Sequence, residues 1–285
     1  MSKGPVIEKA AELGFCLGVR RAIDTIERTA QEVAAAETLG PIVHNQQVTE
    51  RLAGLGISIA PDVSAVQCDT VVVSSHGVSP QVVAEIEARG LRMVDTTCPF
   101  VRRVQLAARR LADAGFSIVI YGDEAHPEIN GVLGWAQGKG IAALELPQFT
   151  RPPRRVGILS QTTQSFPGFL RFVSEFSHAY LEDILELRVL NTICDATLKR
   201  QQAALELARR ADLVIVVGSR HSANTRRLAE LCTATGVETH HIERAEEIDP
   251  SWLIGRHHIG VTAGASTPDE VIDQVIATLK ETSPQ

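Results

Sequence analysis

The sequence predicts an α/β fold of three pseudo-threefold-related modules, each with a small parallel sheet, arranged as a trefoil around a central cavity. Two observations lead there. Strand-sized apolar runs alternate with amphipathic stretches along the whole chain, which is the pattern of parallel sheets flanked by helices. A cysteine at the head of a helical stretch also recurs three times, at one fixed distance from a polar cluster, and fixed spacing marks an internal repeat.

Taken in order, buried strands are predicted at Thr70–Ser74, Ser117–Tyr121, Val156–Leu159, Leu213–Val217 and Ile259–Thr262. All are rich in β-branched or other apolar residues. Phe100–Ala114 and Thr197–Arg210 carry apolar residues at three- and four-residue spacing among Ala, Arg, Gln and Glu, so they read as surface-packed helices. Residues 224–235 read as another, with Cys232 on its apolar face. The Pro- and Arg-rich stretch Pro147–Arg155 reads as a loop within a domain, and Glu281–Gln285 as a frayed end.

The repeat begins at Cys16, Cys98 and Cys194. Each is followed after 28 residues by a polar residue: His44 of His44-Asn45, His126 of His126-Pro127-Glu128, and Ser222 of Ser222-Ala223-Asn224. A second strand in each module ends in another cluster: Ser75-His76-Gly77, Gln161-Thr162-Thr163, and Ala263-Gly264-Ala265-Ser266. The expected modules are therefore residues 1–97, 98–193 and 194–285, each the size of a small domain. Parallel sheets place ligands at the carboxyl ends of their strands. Three modules around one axis would bring three cysteines and six polar clusters to a single cavity.

Composition narrows the function. The 28 basic and 34 acidic side chains leave a net charge of −6, which argues against a nucleic-acid reader, since such domains present a basic face to phosphate. Hydrophobic residues at 44% and charged residues at 22% describe a chain that folds around a core. No apolar run approaches the roughly 18 residues of a membrane helix. Met1–Lys9 lacks the apolar centre of a secretory signal, so a cytoplasmic location is expected. Five widely spaced cysteines, an odd number, do not make a disulfide framework.

Three thiolates converging on one cavity can hold a metal centre. Structural zinc usually takes four ligands at short local spacings, absent here. Iron–sulfur clusters normally take four cysteines, so a cluster with three would keep one iron open as a Lewis acid. Any one of the three cysteines alone also reads as a small buried hydrophobe, and Cys68 and Cys232, outside the repeat, are read that way. The histidines, hydroxyls and amide of the polar clusters suit a phosphorylated substrate held by directed hydrogen bonds at helix N-termini. Singly, Ser222, Asn224 and Ser266 read equally well as helix caps, and His44 and His76 as structural histidines. Glu128 beside His126 is positioned to be a proton donor if burial raises its pKa. The other reading is a carboxylate at the positive end of a helix.

These residues carry a resemblance. Gly14-Phe15-Cys16-x-Gly18-Val19, Gly40-Pro41-Ile42-Val43-His44-Asn45, Ser75-His76-Gly77-Val78-Ser79, Thr97-Cys98-Pro99, His126-Pro127-Glu128, Gln161-Thr162-Thr163, Cys194-x-Ala196-Thr197 with Arg200-Gln201, Ser222-x-Asn224 and Ala263-Gly264-Ala265-Ser266 span nearly the whole chain. In this order they resemble the 4-hydroxy-3-methylbut-2-enyl diphosphate reductase family, which performs the last step of the non-mevalonate isoprenoid pathway. The resemblance implies a 4Fe-4S cluster bound by Cys16, Cys98 and Cys194, with the substrate's alcohol oxygen on the iron that lacks a cysteine. It implies that His44, His76, His126, Ser222, Asn224 and Ser266 hold the diphosphate, that Thr162 orients the hydroxyl and passes protons, and that Glu128 donates one. It implies isopentenyl and dimethylallyl diphosphate as products and a ferredoxin- or flavodoxin-type electron donor. Where some members have Ser-Ser-Asn, this chain has Ser222-Ala223-Asn224, so Ala223 can offer only its backbone N–H. Gln105 stands where some members carry a histidine. Two other readings are a non-catalytic homologue that senses iron or redox state, and a phosphate-binding module with structural zinc. Glu128 and Thr162 favour catalysis, because a sensor has no use for a proton donor.

Overall fold

A computed structural model describes residues 4–282. The strands are β1 (Val6–Lys9), β2 (Ala36–Leu39), β3 (Ile57–Ala60), β4 (Thr70–Val73), β5 (Arg92–Asp95), β6 (Ser117–Tyr121), β7 (Gly140–Ala143), β8 (Arg155–Ser160), β9 (Glu186–Val189), β10 (Leu213–Val217), β11 (Glu238–Ile242) and β12 (His258–Ala263). The α-helices are α1 (Leu17–Glu32), α2 (Gln46–Ala53), α3 (Pro80–Ala88), α4 (Pro99–Asp113), α5 (Pro127–Trp135), α6 (Phe166–Tyr180), α7 (Asp195–Ala208), α8 (Ala223–Thr233) and α9 (Asp269–Thr282). Three four-stranded sheets result, ordered β3-β2-β4-β5, β7-β6-β8-β9 and β1-β12-β10-β11, and every pairing is parallel.

The five strands predicted from apolar runs, β4, β6, β8, β10 and β12, are five of the six central ones, the sixth being β2. The five are buried on both faces, which is why they read as continuous hydrophobic segments. One feature departs from the expected modules. Val6–Lys9 precedes the first cysteine, yet it pairs with β12 and completes the sheet of β10–β12. In all three sheets the last strand on that edge, β5, β9 or β1, then leads straight to a cysteine.

Two compact units divide the chain. One gathers the described residues of Met1–Val19, Val43–Val48 and Asp195–Gln285. Its sheet packs Leu213, Ile215, Val217, Ile259 and Val261 against Val271, Ile272, Val275 and Leu279 of α9. On the other face Val214 and Val216 meet Ala204 and Ala208 of α7 and Leu228 and Cys232 of α8. The second unit, Arg20–Ile42 with Thr49–Cys194, holds the other two sheets. There Ile118, Ile120 and Leu159 pack with Val104, Ala108 and Leu111 of α4 and Ile129 and Val132 of α5. Val71 and Val73 pack with Ile86 of α3.

Two glycines show how closely helices approach these sheets. A Cβ on Gly157 of β8 would lie 2.6 Å from Leu111 Cδ1 of α4, and one on Gly260 of β12 would lie 2.8 Å from Leu207 Cγ of α7. Both leucines stand 13 residues after their cysteine, Cys98 or Cys194. In these two modules the repeat therefore extends to the helix–sheet contact. Gly157→Ala is expected to cost about 1–3 kcal/mol through overpacking, read as a lowered urea midpoint at unchanged slope. An unchanged midpoint would show that Leu111 can move aside freely.

Candidate active site

Each cysteine of the repeat stands at the start of a helix: Cys16 before α1, Cys98 as the N-cap of α4 and Cys194 before α7. Their backbone setting repeats as well. The Cys98 N–H donates to the Ser75 carbonyl at 3.0 Å, the Cys194 N–H to the Thr162 carbonyl at 3.1 Å and the Cys16 N–H to the Ala265 carbonyl at 3.3 Å. The three acceptors lie just past β4, β8 and β12, so every cysteine is tied to a loop that carries a predicted polar residue: His76, Thr162 itself or Ser266. All three side chains are half-buried thiols outside any disulfide. Cys16 Sγ accepts from the Val19 N–H at 3.4 Å.

Cys232 is the core residue the sequence predicts, whereas Cys68 is half-buried and packs against the β4 core from its edge. Burial pushes the Cys232 thiol up to about 11, and the residue is fully enclosed by α7, α8 and β10 side chains. Cys68 donates its S–H to the Thr70 carbonyl at 3.1 Å, and burial, with Glu37 nearby, holds its pKa above the ordinary thiol value.

In the second unit, β6 delivers His126 to the N-cap of α5, where its ring Nδ1 accepts from the Glu128 N–H at 3.2 Å. An accepting Nδ1 leaves the proton of the neutral ring on Nε2, which becomes a donor for an anion. His76 meets His126 edge-to-face, with ring centroids 5.4 Å apart. The Ser74 hydroxyl lies 3.3 Å from His76 Nδ1. Glu128 is 2% exposed. Its Oε1 accepts from the Thr162 N–H and its Oε2 from the Thr162 hydroxyl, both at 2.7 Å. Burial raises the Glu128 pKa, outweighing the two Thr162 bonds that lower it. A carboxyl whose folded pKa lies above its unfolded one favours the fold fully below the unfolded value, and that stabilisation is lost as pH rises through the folded value. Burial therefore favours the protonated form of Glu128, whereas the two Thr162 bonds and its place in the first turn of α5 favour the carboxylate.

In the first unit, β10 delivers Ser222 to the N-cap of α8, where its hydroxyl accepts from the Thr225 N–H at 3.4 Å. Asn224 in the first turn is 4% exposed, yet neither its Oδ1 nor its Nδ2 has a hydrogen-bond partner. Orphaned buried amides are rare and expensive, so both atoms fit an absent polar ligand. Ala223, between them, is half-buried and adds a methyl group and a backbone N–H. Ser266 donates to the His44 carbonyl at 3.4 Å. Burial, His221 and Arg226 together lower the His44 pKa, so near neutral pH its ring acts as an uncharged hydrogen-bonding group.

One residue given no role in the sequence reading has a clear one. Gln105 is fully buried on α4. Its amide donates to the Val78 carbonyl at 3.4 Å and accepts from Arg102 at 3.0 Å. Gly77, at φ +70°, leaves room for it: a Cβ there would lie 2.4 Å from Gln105 Nε2. Gln105 thereby braces the loop that carries His76. The signal was present as a polar residue on an otherwise apolar helix face.

Three thiols at helix starts, each tethered to a loop of polar residues just beyond the end of a parallel strand, define the class: an α/β protein that gathers its polar groups at the carboxyl ends of its sheets. The chain belongs to the LytB protein family, whose model matches residues 7–280. It is 48% identical over 280 residues to a 4-hydroxy-3-methylbut-2-enyl diphosphate reductase of Dehalococcoides mccartyi, covering 97% of this chain and 98% of the relative. A Geobacter sulfurreducens protein of the same name is 42% identical over 278 residues, covering 95% and 96%. Among solved structures, the Plasmodium falciparum E-1-hydroxy-2-methyl-but-2-enyl-4-diphosphate reductase matches with a TM-score of 0.90 at 25% identity, over 96% of this chain and 88% of that one. A second, described as (E)-4-hydroxy-3-methyl-but-2-enyl diphosphate reductase, the terminal enzyme of the non-mevalonate pathway, matches with a TM-score of 0.69 at 36% identity, over 97% and 99%. Among the described residues, no helix is long and apolar enough to cross a membrane.

Proposed function

We propose that this chain reduces 4-hydroxy-3-methylbut-2-enyl diphosphate to isopentenyl and dimethylallyl diphosphate, with a 4Fe-4S cluster held by Cys16, Cys98 and Cys194. The observation that carries the reading is the buried Glu128–Thr162 pair beside Cys194: a carboxyl whose pKa burial raises, in contact with the hydroxyl of a residue whose carbonyl receives the cysteine's N–H. A sensor or a structural zinc module has no need of that pair. The donor set also suits the cofactor. Three half-buried thiols with a repeated backbone tether fit thiolate ligation of iron. When bound, the cluster supplies electrons and a Lewis-acidic iron.

The protein's own groups do the rest. His44, His76, His126, Ser222, Asn224 and Ser266, with the Ala223 N–H, hold the diphosphate. The buried amide of Asn224 gains the partners it lacks. Thr162 orients the substrate hydroxyl. The Thr162 hydroxyl, which donates to Glu128 Oε2 at rest, turns its proton toward the leaving oxygen and in the same step accepts the proton that Glu128 releases. The C–O bond breaks, a C–H bond forms, and water departs at the cost of two electrons and two protons. The electrons come from a ferredoxin- or flavodoxin-type donor.

Anaerobic purification with iron and sulfide analysis, followed by assay of the allylic diphosphate with a chemical reductant, tests the reading. Iron and sulfide in equal amounts and conversion to the two products are expected, with inorganic pyrophosphate inhibiting competitively. Protein that carries zinc, or that holds a cluster without turning substrate over, would replace the proposal with one of its two rivals. Indifference to pyrophosphate would remove the oxyanion site.

A further inference from the structure

We propose that Arg200 is the positioning residue that sets the Cys16 loop before any metal arrives; the ligand role of Cys16 rests on the function proposed above, whereas the clamp itself does not. Arg200 lies in α7 and is 4% exposed. Its Nε and Nη2 donate to the Gly14 carbonyl at 3.2 and 2.8 Å, and its Nη1 donates to the Ala196 carbonyl at 2.9 Å. Two arms of a planar fork therefore close on one oxygen, a geometry open to arginine alone. Burying a guanidinium is costly, so spending it on a backbone carbonyl needs a reason.

The connections to the three cysteines supply one. Cys98 follows the end of β5 by three residues, Cys194 follows β9 by five and Cys16 follows β1 by seven. The two shorter connections are pinned by their own side chains. Asp95 Oδ1 accepts from the Thr97 N–H at 2.9 Å, and Asn191 Oδ1 from the Ile193 N–H at 3.2 Å. The longest connection takes its tether from α7. There Gly14 adopts φ +72°, where a Cβ would lie 3.0 Å from Asp269 Oδ1 and 3.1 Å from Ile272 Cδ1. Arg200 fixes the Gly14 carbonyl of this turn, and the Ala265 carbonyl fixes the Cys16 N–H two residues later. Both ends of the turn that presents the thiol are thus held by the protein itself.

Backbone amide exchange in the metal-free protein tests the clamp. In Arg200→Gln, exchange across residues 11–19 is expected to quicken about tenfold, the effect of losing a pair of charge-assisted bonds, while residues 92–99 keep their wild-type rate. Arg200→Lys, which retains the charge and one donor, is expected to show a smaller increase in the same segment and serves if the glutamine variant does not fold. Unchanged exchange at 11–19, or an equal rise at 92–99, would overturn the clamp, since a merely structural role loosens the fold evenly. In iron-loaded protein, a chelator should strip iron about tenfold faster from Arg200→Gln than from wild type. Equal stripping would overturn the link to the metal. Wild-type protein that takes up no iron would instead defeat the functional reading and leave the exchange result standing.

Discussion

Glu128→Gln is expected to lower turnover by about 100-fold or more while leaving iron content and pyrophosphate affinity near their wild-type values. The substitution preserves volume inside a site that is 2% exposed. It also keeps the bond from the Thr162 N–H, because the glutamine carbonyl can take the place of Oε1. Only the position facing the Thr162 hydroxyl changes, from a group that can release a proton to an amide that cannot. The variant should also lose the pH dependence that the carboxyl imposes on stability. Wild type is destabilised as pH rises through the raised Glu128 pKa, whereas the glutamine variant, having nothing to ionise there, is not. Paired measurements of kcat and of unfolding against pH separate the two effects. Undiminished turnover would remove Glu128 from the chemistry even if the stability profile flattened.

Cys98→Ser is expected to abolish most cluster occupancy, and Cys68→Ser to leave it intact. Cys98 caps α4 without using its thiol for the cap, and its N–H is bonded to the loop that carries His76. A serine can keep the backbone arrangement but is a hard, weakly acidic ligand unsuited to iron–sulfur chemistry. Cys68 has its thiol engaged with the Thr70 carbonyl beside the β4 core. Its replacement leaves iron where it was and costs only local packing. Iron and sulfide analysis of anaerobically prepared variants reads both at once, and the opposite pattern would overturn the ligand assignment.

Much of this was legible in the sequence for a physical reason. Of the six central strands, β2 (Ala36–Leu39) alternates buried and half-buried residues and is hidden, but β4, β6, β8, β10 and β12 are buried on both faces and stand out as unbroken apolar runs. The edge strands do not. Arg92–Asp95 and Glu186–Val189 show mostly exposed or half-exposed residues, and only their pairing identifies them. β1 was hidden for a second reason: its partner lies some 250 residues away, beyond the reach of any local pattern. At the site, the 28-residue spacing captured the thiols and polar clusters because one helix plus one strand separates them each time. The Thr162–Glu128 pair joins positions 34 residues apart, and neither the bonds nor the burial that raises the carboxyl's pKa can be read from spacing. Gln105 and Arg200 stood out in the sequence without a role, because they act through backbone carbonyls that no side-chain pattern reveals.

The pairing of β1 with β12 also governs when this protein can mature. Ribosomes deliver residues in order, so Val6–Lys9 emerges long before His258–Ala263, and the Ala265 carbonyl that fastens the Cys16 amide is among the last groups to appear. The interval leaves the earliest thiol without its native anchor throughout translation, while the settings of Cys98 and Cys194, whose carbonyl partners lie 23 and 32 residues upstream, are complete much sooner. The three cysteines therefore reach a common backbone setting only once the last strand has been made.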